Sequence, residues 1–203
     1  MNESKLPSAT EIKNLHIEYL LNPSWPNESE LKFQLSNSVF KFIETNHFFN
    51  TCLWNEEDLA RRKTVSDSEI ASNKRAIDKF NQSRNDFIEK IDDYIFENIS
   101  LYSSEISKQN SETPGAMIDR LSILSLKIFH MSIQTKRTDV LENHILLCSN
   151  KLNILKIQRD DLCKCFDEFM QDCIKGRRFF KQYKQFKMYN DPTLNPQMYS
   201  KNN

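Results

Sequence analysis

The chain has 203 residues, enough for one domain that buries roughly 70 per cent of its unfolded surface, so a core needs neither disulfides nor a structural metal. With 28 basic and 28 acidic residues it carries no net field, which removes the electrostatic basis for binding nucleic acid or anionic lipid through the protein as a whole. Two glycines and six prolines leave too few turn residues for many short strands, and the composition predicts an all-α fold.

Ser8 followed by Glu11 is a capping box, and Ile12, Leu15 and Tyr19 carry a short first helix that ends before Pro23. NPSWPN then reads as a connector, so residues 1–26 form an N-terminal helix and its link. Asn27 with Glu30 opens a second helix, whose apolar positions Leu31, Leu35, Val39, Phe42, Phe49 and Leu53 keep one face as far as about Arg62. Ser66 with Glu69 starts a third, reaching about Ile99, with Ile70, Ile77, Phe80, Phe87, Ile88, Ile91 and Ile95 on its stripe. The short link RKTVS makes these two helices antiparallel neighbours.

LYSSEISKQNSE is a polar loop, after which Thr113 and Pro114 cap and start a fourth helix to about Ile133. Thr138 caps a fifth, which ends at Gly176. Residues 27–176 are therefore the core of a single-domain antiparallel bundle of about five main helices. Residues 177–203 belong to the same domain as a short basic and aromatic helix with an extended end. On that helix Phe179, Tyr183 and Phe186 are expected to dock against the bundle while Arg177, Arg178, Lys181, Lys184 and Lys187 stay solvated, the alternatives being a partner or membrane-surface contact or RNA binding.

The most hydrophobic window, AMIDRLSILSLKIFHMSI, holds Asp119, Arg120, Lys127 and His130, so it reads as a buried helix and not a membrane span. Five cysteines lack a disulfide-framework spacing and MNESKLPSATEIKN has no apolar signal core, which points to the reducing cytoplasm.

Polar residues interrupt the helical pattern at one place. On a helical wheel Arg84 falls near the centre of the third helix's apolar arc, with Asn73 and Asn81 inside it and Lys74, Asp78, Asn85 and Asp92 along one flank. The second helix turns from apolar to polar on the same side, presenting Asn46, Asn50, Glu57 and Arg61 with His47 and Trp54 at the edge. Folding about RKTVS sets Glu57 level with Asn73 and Lys74, Asn50 with Asn81, and Asn46 with Arg84 and Asn85. Asp119 and His130 share one stripe of the fourth helix, Arg120 and Lys127 the next, and all four are expected to point at the same seam. An unpaired charge in a core costs several kcal/mol, so these groups either satisfy one another and fix register, or surround a ligand.

As a ligand site, Arg61, Lys74, Arg84, Arg120 and Lys127 would hold an anion and Asn46, Asn50, Asn81 and Asn85 would read hydroxyls, with His47 and Asp58 beside them. Glu57, Asp78, Asp119 and His130 supply acid and base groups that orient the ligand or move protons. A sugar phosphate or nucleotide sugar fits this set. Two metal readings are thinner. Glu44-Thr-Asn-His47 has the Glu-x-x-His spacing of di-iron bundles without a second copy. Glu89 and Asp92, with Glu56 and Glu57, are similar to the acidic cluster of magnesium-dependent helical nucleotide pyrophosphatases, with a poor match in spacing. Cys163 and Cys165 lie on opposite sides of a helix and form no zinc clasp. No cofactor is singled out, and no phosphate loop, dinucleotide fingerprint or serine elbow is present.

Three stretches, LWNEEDLARR, KRAIDKFNQSRNDFIEKID and ETPGAMIDRLSILSLKIFHM, together with the end YKQFKMYNDPTLNP, resemble an uncharacterised bacterial family, the domain-of-unknown-function family four-two-five-four. The resemblance runs from about Val39 onward. Members are met beside glycosyltransferases and other surface-polysaccharide genes, which implies a cytoplasmic role in making lipopolysaccharide or a similar glycan, either on a ligand or as a noncatalytic adaptor of a glycosyltransferase. The resemblance carries no catalytic assignment to any residue here.

Overall fold

A computed structural model describes residues 6–99, 107–186 and 188–199. Its helices are α1 (Ala9–Leu21), α2 (Phe40–Leu59), α3 (Asp67–Asn98), α4 (Pro114–Gln134), α5 (Glu142–Ile174) and the short α6 (Pro196–Tyr199). Two-residue strands β1 (Lys108–Gln109) and β2 (Arg178–Phe179) pair in parallel. The architecture is all-α, and no helix among the described residues is long and apolar enough to cross a membrane.

Local signals set most of the ends. Ser8 and Ser66 each make the full capping box with Glu11 and Glu69, and Thr113 accepts from the Ala116 N–H ahead of Pro114. Gly176 adopts φ 67°, the left-handed conformation that closes a helix; its N–H donates to Cys173 O and that of Arg177 to Asp172 O. The fifth helix starts later than Thr138, at Glu142.

Two expectations fail. Leu31 to Ser38 do not belong to the second helix. Only Glu28–Glu30 form a turn of 3-10 helix, and Leu35 is fully exposed. The cause is Glu44, buried on α2, whose carboxylate accepts from the Lys32 and Phe33 N–H groups at 2.9 Å each and from the Tyr19 hydroxyl at 2.5 Å. A loop that satisfies a buried carboxylate replaces two turns of helix.

The tail is extended, not helical. Pairing β2 with β1 straightens it, and alternation along an extended chain sends Phe180 inward, where it is 1% exposed, while Tyr183 and Phe186 are left at 58% and 87%. Phe180 packs on Phe96 and Phe169. Lys184 reaches back to Glu89 and Asp93 on α3. Lys187 of the expected cationic set lies outside the described residues, as does most of the loop before β1.

The bundle has two unlike ends. Ile12, Leu15 and Tyr19 of α1, Ile43 of α2, Ile91 and Ile95 of α3, Ile118 and Leu121 of α4 and Phe166 and Phe169 of α5 fill one end as a continuous apolar core. There α4 lies close against α3, because Gly115 has no side chain: a Cβ would sit 2.5 Å from Ile88 O. The Asp92 carboxylate accepts from the Gly115 N–H at 2.6 Å, taking one of the unpaired donors of the α4 N-terminus. Toward the other end α2 and α3 continue antiparallel, Asn46 reaching Arg84 O and Glu57 facing Lys74, and the polar residues gather.

Candidate functional site

At that end the polar groups divide into two sets. The first is buried, and its amides and carboxylate bond one another. Asn46 and Asn50 donate from Nδ2 to Asp119 Oδ1 at 3.0 and 2.8 Å, and Asn50 also reaches Ser122 Oγ at 3.0 Å. Ser122 Oγ also pairs with His47 Nδ1 at 2.8 Å, while His47 Nε2 has no hydrogen-bond partner. His47 stacks on His16 of α1 with centroids 4.4 Å apart, and both rings are fully buried. Burial drives the pKa of His47 down to about 3 and that of His16 well below the ordinary imidazole value, so both are neutral. Asn85, also buried, accepts from Arg84 Nη2 at 3.0 Å.

Above this floor lies an open cleft of about 370 Å³ between α2, α3 and α4, lined among others by Asn50, Glu57, Asp58, Arg61, Asn81 and Arg84. Ile77, Ile123 and Leu126 form its apolar sides. Arg84 is half-buried; its Nε lies 3.9 Å from Asp119 Oδ1 and makes no hydrogen bond. Asn81 makes no side-chain hydrogen bond among the described residues. At the rim Glu57 pairs with Arg61 at 2.5 Å and Lys74 at 3.6 Å; the Arg61 hydrogen bond, then Lys74, holds its carboxyl below the usual range.

A second cavity of about 560 Å³ adjoins the first, sharing Trp54 and Asp58 with it, and lies against α4 and α5. His130 stands here with its ring stacked on Trp54, centroids 4.5 Å apart and planes within 6°. Burial lowers its pKa, and Asp58 opposes that. The imidazole is therefore neutral near pH 7 and able to accept a proton.

The sequence-derived set is thus brought together only in part. Asn46, His47, Asn85 and Asp119 are floor; Asn50 belongs to floor and lining; Glu57, Asp58, Arg61, Asn81 and Arg84 line the cleft; Lys127 and His130 line the adjoining cavity. Lys74 is a rim residue held by Glu57. Asp78 is exposed and lines neither space. Arg120 does not point at the seam: it turns toward α5 and pairs with Glu112 at 2.6 Å, because one residue's step around α4 moves it beyond the α2 contact.

Six lining residues of α4 and α5 were passed over in the sequence: the polar Gln134, Lys151 and Gln158 and the apolar Met131, Ile154 and Leu155. Their signal was a repeat of spacing: Lys151, Ile154, Leu155 and Gln158 stand at the same intervals as Lys127, His130, Met131 and Gln134.

The residues proposed for metals are engaged elsewhere. Glu44 holds the 32–33 loop, Asp92 the start of α4, Glu56 Asn73, and Glu89 the tail. Among the described residues no three His, Cys, Asp or Glu side chains gather to hold an ion, and the five cysteines are free.

No curated protein and no solved structure matches the chain. A family profile described as "Protein of unknown function (DUF4254)" matches residues 40–182, a span from the start of α2 to just past β2 that includes every residue of both cavities. On that match the chain belongs to the DUF4254 family.

Proposed function

We propose that the protein binds an anionic, hydroxyl-rich small molecule, of the sugar-phosphate or nucleotide-sugar class, in the cleft between α2, α3 and α4. The supporting observation is the state of Asn81 and Arg84: an amide with no side-chain partner and a guanidinium whose buried Nε is unbonded both belong to residues lining an open space, above a floor in which Asn46, Asn50 and Asp119 bond one another. A register device gains nothing from an amide left open on the wall of a cleft. Arg84 and Arg61 hold the anion, and Asn81 and Asn50 meet hydroxyls. Glu57 and Asp58 orient these groups, and the neutral His130, in the adjoining cavity across the shared Trp54–Asp58 wall, is the base available to move a proton. This reading sets the activity in the bacterial cytoplasm, in the assembly of lipopolysaccharide or a related surface glycan, the role that the resemblance noted in the sequence implies.

A second reading, a noncatalytic adaptor docked on a glycosyltransferase, draws on the apolar groups left at the surface. These are Tyr183 and Phe186 of the tail and Leu146, Leu147, Ile154 and Ile157 of α5. Thermal shift against sugar phosphates and nucleotide sugars separates the two. The cleft reading predicts that one compound class raises the melting point and that Asn81→Ala and Arg61→Ala remove the rise without lowering the unliganded melting point. The adaptor reading predicts no rise for any compound, and loss of glycosyltransferase co-purification in the double variant Tyr183→Ser, Phe186→Ser, which spares the buried Phe180.

A further inference from the structure

The second cavity has an internal symmetry that the first lacks. On α4, Lys127, His130, Met131 and Gln134 stand at i, i+3, i+4 and i+7; on α5, Lys151, Ile154, Leu155 and Gln158 repeat the interval, and all eight line the same space. The two helices run antiparallel, so Lys127 is level with Gln158, with which it also lines a neighbouring cavity, and Gln134 is level with Lys151. The result is a trough about 10 Å long, the rise of seven helical residues. It has a lysine and an amide at each end, Met131, Ile154 and Leu155 along the middle, and the stacked Trp54–His130 rings on the α2 side.

The polar ends are open for business with a ligand. Lys127, Lys151 and Gln158 make no side-chain hydrogen bond or ion pair among the described residues, and Gln134 uses only its carbonyl, accepting from Arg137 at 3.2 Å. A fatty or polyprenyl chain would leave both lysines and both amides facing hydrocarbon, which is costly. A flat heteroaromatic ring system would not: its faces suit the apolar middle and the ring wall, its edge suits an amide that both donates and accepts, and a lysine suits a ring carbonyl or a phosphate.

The trough also joins the first cleft at a definite end. Trp54 and Asp58 line both, and on α4 Lys127 stands one turn beyond Ile123 and next to Leu126, which line the cleft. Of the α4 and α5 residues, Lys127 and Gln158 therefore stand at the end toward Arg84, which faces Asp119, and Gln134 and Lys151 stand at the far end.

We infer that the trough is a nucleobase site, and that the ligand of the two joined spaces is a nucleoside diphosphate sugar. The base lies between Met131, Ile154 and Leu155 with its polar edge at Gln134 and Lys151. The diphosphate crosses the Trp54–Asp58 junction between Lys127 and Arg84, and the glycosyl hydroxyls reach Asn81 and Asn50. This rests on the cleft reading above and selects one class from the two it admits.

Isothermal titration with a sugar 1-phosphate and the matching nucleotide sugar tests it on the whole chain, with Leu155→Trp to fill the trough and Asn81→Ala to disable the cleft. The nucleotide sugar is expected to bind at least about tenfold tighter than the sugar phosphate, the size of one base-stacking contact, and to quench Trp54 emission. Leu155→Trp abolishes that advantage and leaves sugar 1-phosphate affinity unchanged, while Asn81→Ala weakens both. Equal affinity for the two compounds, or an advantage that survives Leu155→Trp with circular dichroism unchanged, overturns the nucleobase site while leaving the cleft reading standing. Absence of binding by either compound overturns both.

Discussion

Asn50 donates to the Asp119 carboxylate at 2.8 Å inside the bundle, and through this contact α2 and α4 are joined beneath the open cleft. The same carboxylate oxygen accepts from Asn46 and lies 3.9 Å from Arg84 Nε, so one buried acid serves three helices.

Removing that acid should therefore damage the fold before it damages chemistry. Asp119→Ala leaves the amides of Asn46 and Asn50 without their acceptor and a half-buried guanidinium without its anion, a loss of about 3 kcal/mol. Asp119→Asn keeps an acceptor in the same place and is expected to lose about 1 kcal/mol. Urea unfolding of the two variants beside the native protein measures the difference.

Acid stability follows from the stacked pair His16 and His47. In the folded protein burial keeps both neutral, His47 down to about pH 3, whereas in the unfolded chain they take up protons near pH 6.5. Their contribution is thus complete above pH 6.5 and is lost as pH falls below it, by up to about 1.4 kcal/mol per pH unit for each ring. Asp92 acts in the opposite sense: burial raises its pKa to about 6, so the folded state binds its proton first and stability is gained as pH falls from 6 toward 4. Denaturant unfolding between pH 7 and 4 should show a shallower acid loss in the double variant His16→Leu, His47→Gln and a steeper one in Asp92→Asn.

Much of this was legible in the chain and some was not, for identifiable reasons. Capping boxes at Ser8 and Ser66, the Thr113–Pro114 start and the Gly176 stop are local, and they set the helices they mark. The facing of Glu57 to Lys74 and Asn46 to Arg84 followed from helical periodicity and one short link. What periodicity cannot carry is a long-range demand. The Glu44 carboxylate turned residues 31–38 from helix into loop, and pairing with Lys108 and Gln109 turned the tail from helix into strand. Nor does a wheel tell a bonded polar group from an open one, and for that reason Asp119 and Asn81 looked alike in the sequence and differ in the structure.

The tail gives a direct comparison. Phe180→Ala empties a site walled by Phe96 and Phe169 and should cost about 3 to 4 kcal/mol. Phe186→Ala, at an exposed position, should change stability by less than about 0.5 kcal/mol. Thermal unfolding of both, read by circular dichroism, tests the extended placement against a helical one, in which Phe186 would be the anchor.

Gly115 sets how closely α4 approaches α3. Gly115→Ala forces a methyl group against Ile88 O and the Asp92 carboxylate, at 2.5 and 2.8 Å before relaxation, and backbone oxygen has little room to yield. A loss of about 2 kcal/mol is expected by the same unfolding assay, and Ala116→Gly, at the next position, should lose only the helix-propensity difference of about 1 kcal/mol.

The division between a bonded floor and an open lining is tested most directly by one paired measurement on Asn50→Ala and Asn81→Ala, taking for each the unfolding free energy and the affinity for the sugar phosphate or nucleotide sugar that stabilises the native chain. Asn81→Ala is predicted to lose binding and keep stability within about 0.5 kcal/mol, while Asn50→Ala loses about 2 kcal/mol of stability. Equal destabilisation by the two substitutions, or undiminished binding in Asn81→Ala, would contradict the division and the site built upon it.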